Sequence, residues 1–434
     1  MTALIIIICI AFLILLISVF KTNTFVAFII VSIIAAILLG MPITQIPAAL
    51  QKGIGEMLGS LMMVLLFGAM IGKLVAVSGA AQQISTSILR VFGEKHITWA
   101  MMLTGFIVGI PLFYNVGFVL LVPLIFSIVY QLKLPAVYIG IPMLAALSVT
   151  HGLLPPHPSP AALVNQLQAD MGKTLIYGCI IAVPTIILAG PLFATTLKKI
   201  NTPPLQTFTP QVLPENHLPG FLNSIIACLL PVFILLSTTI SELNGVKLHP
   251  VVKFIADPGM IMLVSLIYAT LSLGIIRGLK IGYIMQQYAE AIKDILLIIM
   301  IVAGAGALKQ VFVETGISTS LGAAMNQWDL PPLLLGWLIA AVIRVSMGSA
   351  TVAGLTTAGI VAPLVLSTNT DPNLMVLAVG SGSLMFSHVN DSGFWMFKEY
   401  FNLSMKDTFR SWSVMETIVS VMGLIGVMVL ERFI

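Results

Sequence analysis

Four short segments of an apolar chain bring together residue types that could bind or protonate a small molecule. They run over residues 109–117, 151–160, 344–351 and 387–393. Each combines glycine or proline with hydroxyl, amide or ionisable side chains. Where such a segment breaks a helix inside a membrane, the freed backbone N–H and C=O groups must be satisfied by a ligand or a water-filled cavity. Helix N-termini also present free N–H groups to anions, so the pattern favours a site for a small anion.

Arg344 and Asp391 are the clearest ionisable residues in these segments. Ionisable side chains at membrane depth are costly and usually functional. We expect Arg344 to contact a substrate carboxylate, because a guanidinium can donate two parallel hydrogen bonds to it. The alternative is a structural ion pair of Arg344 with Asp391 or Glu314. Asp391 is correspondingly a candidate proton carrier or the partner of Arg344.

Further polar side chains in the same segments suit a polyhydroxylated ligand. Three histidines titrate near physiological pH, so proton relay and substrate hydrogen bonding are both open for them, while helix–helix hydrogen bonding is the commoner role of a lone histidine in a membrane. These hydroxyl, amide and imidazole candidates are Asn115, His151, His157, Ser346, Ser349, Thr351, Ser387, His388, Asn390 and Ser392.

The composition places these segments in a membrane protein. Of 434 residues, 59% are hydrophobic and 8% are charged, against about 25% charged residues in a soluble domain. Apolar stretches of roughly 20 residues match the hydrocarbon core of a bilayer. The net charge of +4 is spread over loops, which argues against nucleic-acid binding. Three cysteines in apolar runs predict neither disulfides nor a metal site, and no nucleotide-binding signature or cofactor is indicated.

The apolar stretches predict an all-α polytopic protein with ten spans, five in each half. Residues 97–130 and 331–366 are too long for one span and are broken midway, so each predicts a re-entrant hairpin. Residues 135–170 and 373–403 predict broken spans. Lysine and arginine prevail in loops that are cytoplasmic if the N-terminus is outside. The proline-rich stretch 199–219 predicts a cytoplasmic linker between a first repeat, 1–198, and a second repeat, 220–434.

The two halves match at a nearly constant offset in residue number. Four residues of the first half recur in the same order in the second half. They are Lys73, Gly79, Gly117 and His151, with the counterparts Lys309, Gly316, Gly354 and His388. Because five spans per repeat place the repeats in opposite orientations, the sequence predicts inverted repeats with a shared site near the midplane. That architecture is typical of secondary transporters.

The same segments resemble the gluconate permease (GntP) family. The resemblance rests on residues 109–124, 151–163, 306–316, 343–360 and 387–404, of which SHVNDSGFWMFKEYFNLS at 387–404 is the most specific. It implies proton symport of gluconate or a related sugar acid across the bacterial inner membrane, by an elevator-like movement. By analogy with elevator carriers, a homodimer is expected. Asn115 is neutral at a hairpin tip where some relatives have a carboxylate, so proton coupling falls to other residues.

On this interpretation the two hairpins close over the sugar acid. The implied substrate-binding set is Asn115, His157, Arg344, Ser346, Ser349, Thr351, Asn390 and Ser392. The implied proton-coupling set is Asp391, His388 and His151. The implied partners are protons, the small organic anion and membrane lipid.

Other functions stay open at this point. The chain could carry D-serine, D-glycerate or another small hydroxy acid, or couple to sodium. An intramembrane enzyme or a non-transporting receptor is a different class. No nucleophile–base spacing supports an enzyme, so we expect no catalytic residue.

Overall fold

The computed structural model describes residues 5, 8, 9, 11–13, 15–111, 114–200, 213–246, 248–315, 330–388 and 391–434. These residues form helices and turns, without a strand. The first half contains α1 (Thr24–Leu38), α2 (Ile46–Val77), α3 (Ala80–Phe92), α4 (Ile97–Gly109), α5 (Tyr114–Leu132), α6 (Ala136–Leu153), α7 (Pro158–Gln166) and α8 (Met171–Ile187). The second half contains α9 (Phe221–Leu243), α10 (Pro250–Ile255), α11 (Pro258–Ala269), α12 (Ile281–Glu314), α13 (Pro332–Met347), α14 (Ala350–Thr368), α15 (Pro372–Gly382), α16 (Ser392–Tyr400), α17 (Met405–Thr408) and α18 (Val414–Leu430).

Seven helical segments of the described chain are long and apolar enough to cross a membrane. They are Ile43–Val77, Ala136–Gln166, Met171–Leu197, Phe221–Leu243, Pro258–Arg277, Ile281–Glu314 and Met405–Leu430. The prediction of an all-α, multi-pass membrane protein is therefore confirmed. Two of the other predicted spans are short helices: α1 has 15 residues and α15 has 11. The predicted first span, 3–20, lies partly outside the described residues.

The helix boundaries repeat along the chain. Helices α4, α5, α6 and α7 begin at positions 97, 114, 136 and 158, and α13 to α16 begin at positions 332, 350, 372 and 392. The offset between these two series is nearly constant, and the ends of the two longest helices, α2 at Val77 and α12 at Glu314, follow it too. Each predicted hairpin range thus holds two helices with a short break between them. This correspondence supports two repeats, whose opposite orientation stays a prediction.

Helices α2 and α12 form a close crossing at two glycines. A Cβ atom built on Gly53 would clash with the carbonyl oxygen of Gly306, and one built on Gly306 would clash with the carbonyl oxygen of Gly53. Small residues let membrane helices approach this closely. Helix α7 packs against α2, and α14 packs against α12. The crossed pair therefore supports α7, which follows the break after α6, and α14, which follows the break after α13.

Local sequence explains where the broken helices stop and restart. Helix α13 stops before Gly348, whose φ of +77° suits glycine. Ser349 then caps α14 by accepting a hydrogen bond from the Val352 N–H. Asp391 caps α16 in the same way, and Pro158 opens α7, where its missing N–H costs no helical hydrogen bond.

The described end of the predicted linker is attached to the helical body. The side-chain amide of Gln82 makes hydrogen bonds of 2.9 and 3.0 Å with the backbone of Leu213. Arg277 donates to the carbonyl of His217 over 2.6 Å. Residues 201–212 of the linker lie outside the described residues. The linker is thus tied to α3 shortly before α9 begins.

Candidate functional site

A cavity of about 280 Å³ lies where the breaks of the two halves meet. The ends of α5, α6, α13, α14 and α16 surround it, and α12 and α18 close its sides. Five of the residues predicted from sequence line it together. They are His151, Arg344, Ser349, Thr351 and Asp391.

Arg344 occupies the centre of this cluster as a buried cation with 4% exposure. Its Nη2 donates a hydrogen bond of 2.5 Å to Oδ2 of Asp391. Its Nε and Nη1 are buried and have no hydrogen-bond partner among the described residues. The guanidinium is therefore paired on one side only, and Arg344 lines a cavity large enough for a small anion. Leaving such donors unsatisfied is costly, which favours a ligand with a carboxylate.

Asp391 is held by several groups at once. One carboxylate oxygen accepts a hydrogen bond from the Gly393 N–H at 2.9 Å, and the other accepts from Arg344 and from the Ser387 hydroxyl. Trp412 in turn donates from Nε1 to the Ser387 hydroxyl at 2.7 Å. The carboxylate therefore both caps α16 and orients Arg344.

His151 and His157 form a pair across the break between α6 and α7. Nδ1 of His151 lies 3.4 Å from Nε2 of His157, and the rings meet edge to face with centroids 4.5 Å apart. His151 lines the cavity, whereas the buried His157 lines a separate small crevice with Ile110 and Pro156. His157 is thus one layer behind the cavity wall.

Besides His157 and Ser387, two further predicted residues lie away from the cavity lining. The Ser346 hydroxyl donates to the Val342 carbonyl on its own helix at 2.8 Å. A ring nitrogen of His388 lies 2.8 Å from the carbonyl oxygen of Val345. Neither residue is among those that line the 280 Å³ cavity.

The side chains of three further predicted residues are not among those that the structure describes. Asn390 falls in the undescribed pair 389–390. Asn115 is the second residue of α5 and Ser392 is the first residue of α16, but only their backbones are described. Their predicted contacts with substrate therefore stay predictions.

Sequence reasoning missed several groups that line the cavity. Glu416, in α18, is buried with 2% exposure and accepts a hydrogen bond at Oε1 from the hydroxyl of Ser148 in α6. Tyr114, Asp294 and Trp412 also line the cavity. Glu416 could have been found from the sequence, because it is an ionisable residue inside the apolar stretch 411–431 and such residues are usually functional.

A second polar cavity, of about 170 Å³, lies beside the Gly53–Gly306 crossing. Glu56 and Lys309 line it. The two cavities touch different stretches of α12, residues 294–301 and 306–310. Lys73, the counterpart of Lys309 in the first half, pairs over 3.5 Å with Asp294, which lines the first cavity. Each cavity therefore has a lysine on one of the two long helices and a carboxylate on the other: Lys73 with Asp294 at the first, and Lys309 with Glu56 at the second.

The first cavity contains groups that can bind a small anion. Its polar groups are one guanidinium, carboxyl groups, an imidazole and hydroxyls, with free backbone N–H groups at the start of α14. Among the described residues, no group of three or more histidine, cysteine or acidic side chains could hold a metal ion.

Comparison with known proteins gives the family. The family described as GntP family permease matches residues 1–433. The chain is 46% identical over 419 residues to a high-affinity gluconate transporter from Escherichia coli (strain K12), with 96% of each chain covered. It is 44% identical to the Gnt-II system L-idonate transporter of the same organism, with 97% of each covered. It is 42% identical to the gluconate permease of Bacillus subtilis (strain 168), with 93% of each covered.

Solved structures with low sequence identity share the fold. The YdaH transporter from Alcanivorax borkumensis superposes with a TM-score of 0.66 at 15% identity, covering 94% of this chain and 97% of that one. MtrF from Neisseria gonorrhoeae superposes with a TM-score of 0.62 at 15% identity, covering 94% and 93%. At this identity the likeness concerns the fold alone.

Proposed function

Because this chain belongs to the GntP family of permeases, we propose that it is a secondary active transporter that imports gluconate or a related sugar acid by proton symport. The family and its transporter relatives establish a membrane transport protein and not an enzyme. The observation that carries the choice of substrate class is the half-paired guanidinium of Arg344 in the 280 Å³ cavity. The proposed location is the bacterial cytoplasmic membrane, where an importer of sugar acids would act.

In the proposed complex the carboxylate binds at Arg344. Nε and Nη1 are the buried donors that the carboxylate would satisfy, and the N-terminus of α14 adds backbone N–H groups and the positive end of a helix dipole. The hydroxyls of Ser349 and Thr351 and the ring of His151 line the same cavity and suit the hydroxyls of an aldonate. Asn115, Asn390 and Ser392 stay proposed contacts, as does His157 from behind His151. Ser346 is left out of the proposed contacts, because its hydroxyl donates to the Val342 carbonyl on its own helix.

The two cavities support alternating access. They lie along different stretches of α12, and the close crossing of α2 with α12 borders the second of them. We propose that α2 and α12 belong to the static part and that the broken helices carry the substrate between the two cavities in an elevator-like movement. A homodimer would provide a larger static scaffold in the bilayer.

For proton coupling, the sequence indicates Asp391, His388 and His151. Asp391 already accepts hydrogen bonds from three groups, and His388 lies beside the Val345 carbonyl. His151 lines the cavity and has no ion-pair partner among the described residues. Asp391 also lines the cavity but is paired with Arg344, and His388 is not in the lining. The geometry therefore favours His151 over His388 as a direct participant.

Uptake of radiolabelled gluconate into proteoliposomes tests this function. We expect accumulation when the outside is made acidic relative to the inside, and abolition of that accumulation by a protonophore. Unlabelled L-idonate should compete, because a relative is an L-idonate transporter. Accumulation driven by a sodium gradient at equal pH would contradict proton symport. Failure of every sugar acid in a competition panel to bind would contradict the substrate class.

A further inference from the structure

Glu416 is a buried carboxyl group without a cationic partner in hydrogen-bond contact among the described residues. It is 2% exposed and lies in the first turn of α18. Its Oε1 accepts from the Ser148 hydroxyl, and its Oε2 has no hydrogen-bond partner in the described part of the chain. It lines the same cavity as Arg344 and Asp391. A carboxylate buried in this way is an uncompensated charge unless it binds a proton.

We infer that Glu416 is the proton-binding group that couples the anion to the proton. This inference rests on the proposed symport. Arg344 and Asp391 form a pair with no net charge. With Glu416 ionised and the cavity empty, the three side chains carry one negative charge. When a monovalent sugar acid binds and Glu416 takes up a proton, the same groups with the ligand again carry one negative charge.

That charge balance links the two binding events. If the anion entered without the proton, two uncompensated negative charges would share a buried cavity, and their repulsion would be strong at low local dielectric. If the proton bound first, the cavity would be neutral and ready for an anion. The anion and the proton therefore favour each other's binding, which is the thermodynamic requirement for symport.

The neighbouring ionisable groups are less suited to this role. The ones that line the cavity beside Glu416 are Tyr114 from α5, His151 from α6, Asp294 from α12, Arg344 from α13 and Asp391 from α16. Helices α8 and α15 also pack against α18 but contribute no ionisable side chain to this lining in the described part of the chain.

Two of those carboxylates already have cationic partners. Asp391 is bound by the guanidinium and caps a helix. Asp294 is half exposed and pairs with Lys73 at 3.5 Å. His151 is the remaining competitor, because a protonated imidazole would also offset the charge of the anion.

The pH dependence of gluconate binding to the purified full-length protein separates these groups. Above the pH at which the empty protein loses the coupled proton, wild-type affinity should fall about tenfold per pH unit, because one proton must be taken up with each anion. Glu416→Gln should remove that slope, since the neutral amide mimics the protonated acid at every pH. Glu416→Asp should restore a slope. Glu431→Gln, at the exposed end of the same helix, should keep the wild-type slope.

Each outcome bears on the inference. A wild-type slope in Glu416→Gln overturns it, and a slope that survives in Glu416→Gln but disappears in His151→Gln assigns the proton to His151 instead. If Glu416→Gln does not fold, the pH at which the slope begins becomes the readout. A shift of that pH in Ser148→Ala, which loses the hydrogen bond to the carboxyl, and in Glu416→Asp supports a titrating carboxyl. The same pH in both variants as in the wild type overturns the inference. Absence of binding of every sugar acid in the panel by the wild type overturns the proposed function, and this inference with it.

Discussion

Arg344 and Asp391 lie 47 residues apart in the chain and are joined by a hydrogen bond of 2.5 Å between Nη2 and Oδ2. This contact links α13 to the N-cap of α16, so it fixes the two breaks of the second half relative to each other. It also settles an ambiguity in the sequence. Arg344 makes a structural pair, and the pair leaves Nε and Nη1 free of partners among the described residues, so pairing and anion binding are compatible.

The first prediction concerns the shape of the cation. Arg344→Lys should weaken gluconate binding roughly 10- to 100-fold, because a lysine keeps the charge but loses a charge-assisted hydrogen bond worth about 1.5–3 kcal/mol. Isothermal titration calorimetry on the purified protein measures this. Arg410→Lys, on an exposed arginine, serves as the control. Equal affinity in Arg344→Lys and wild type would exclude a forked contact with the carboxylate.

The second prediction separates the two roles of Asp391. Asparagine is as good a helix cap as aspartate, so Asp391→Asn should keep the cap of α16 and lose the ion pair. Asp391→Ala should lose both and be less stable than Asp391→Asn by about 0.5–2 kcal/mol. Thermal unfolding in detergent ranks the variants. Identical midpoints for the two variants would show that the cap contributes nothing to stability.

A third prediction tests the helix crossing. Gly53→Ala should lower the unfolding midpoint markedly, because its Cβ would clash with the backbone oxygen of Gly306, which cannot rotate away. Gly59→Ala in the same helix is the matched control, since a Cβ there meets nothing within 4 Å. Thermal unfolding of both variants decides the matter. Equal midpoints would mean that α2 and α12 are farther apart than described.

The fourth prediction compares two neighbouring hydroxyl residues. Thr351→Val should weaken gluconate binding by a few fold to about tenfold, as expected for a neutral hydrogen bond of roughly 0.5–1.5 kcal/mol. Ser346→Ala should bind as the wild type does, because its hydroxyl is bonded to the Val342 carbonyl and does not line the cavity. Competition binding with labelled gluconate provides the readout. The reverse order of effects would place Ser346 at the substrate.

The last prediction addresses the histidines. His388→Gln should leave the pH dependence of gluconate binding intact, because the ring lies beside a backbone carbonyl outside the cavity lining. His151→Gln should lower the affinity, because that ring lines the cavity. The same binding titrations across pH test both. Loss of pH dependence in His388→Gln would return the coupling role to this residue.

Much of the fold could be predicted because it depends on local chemistry. Glycine, proline and capping residues mark where α13 ends and α16 begins, and these signals lie within a few residues of the break they cause. Long apolar stretches likewise indicate helices that can cross a bilayer. The sequence could not show that α2 and α12 extend well beyond the apolar stretches expected to span, because long helices continue through polar residues once their buried faces are packed.

The site, like the fold, has features that local sequence indicates and features that only helix packing decides. The sequence by itself determined that Arg344 and Asp391 are unusual, since ionisable residues inside apolar segments are rare, and it determined the family. Only the tertiary structure decided which hydroxyls line the cavity: Ser349 and Thr351 do and Ser346 does not. It also brought Glu416 from the last helix against Ser148 of α6, 268 residues away. Contacts between residues so far apart depend on how helices pack, and no pattern within one segment encodes that packing.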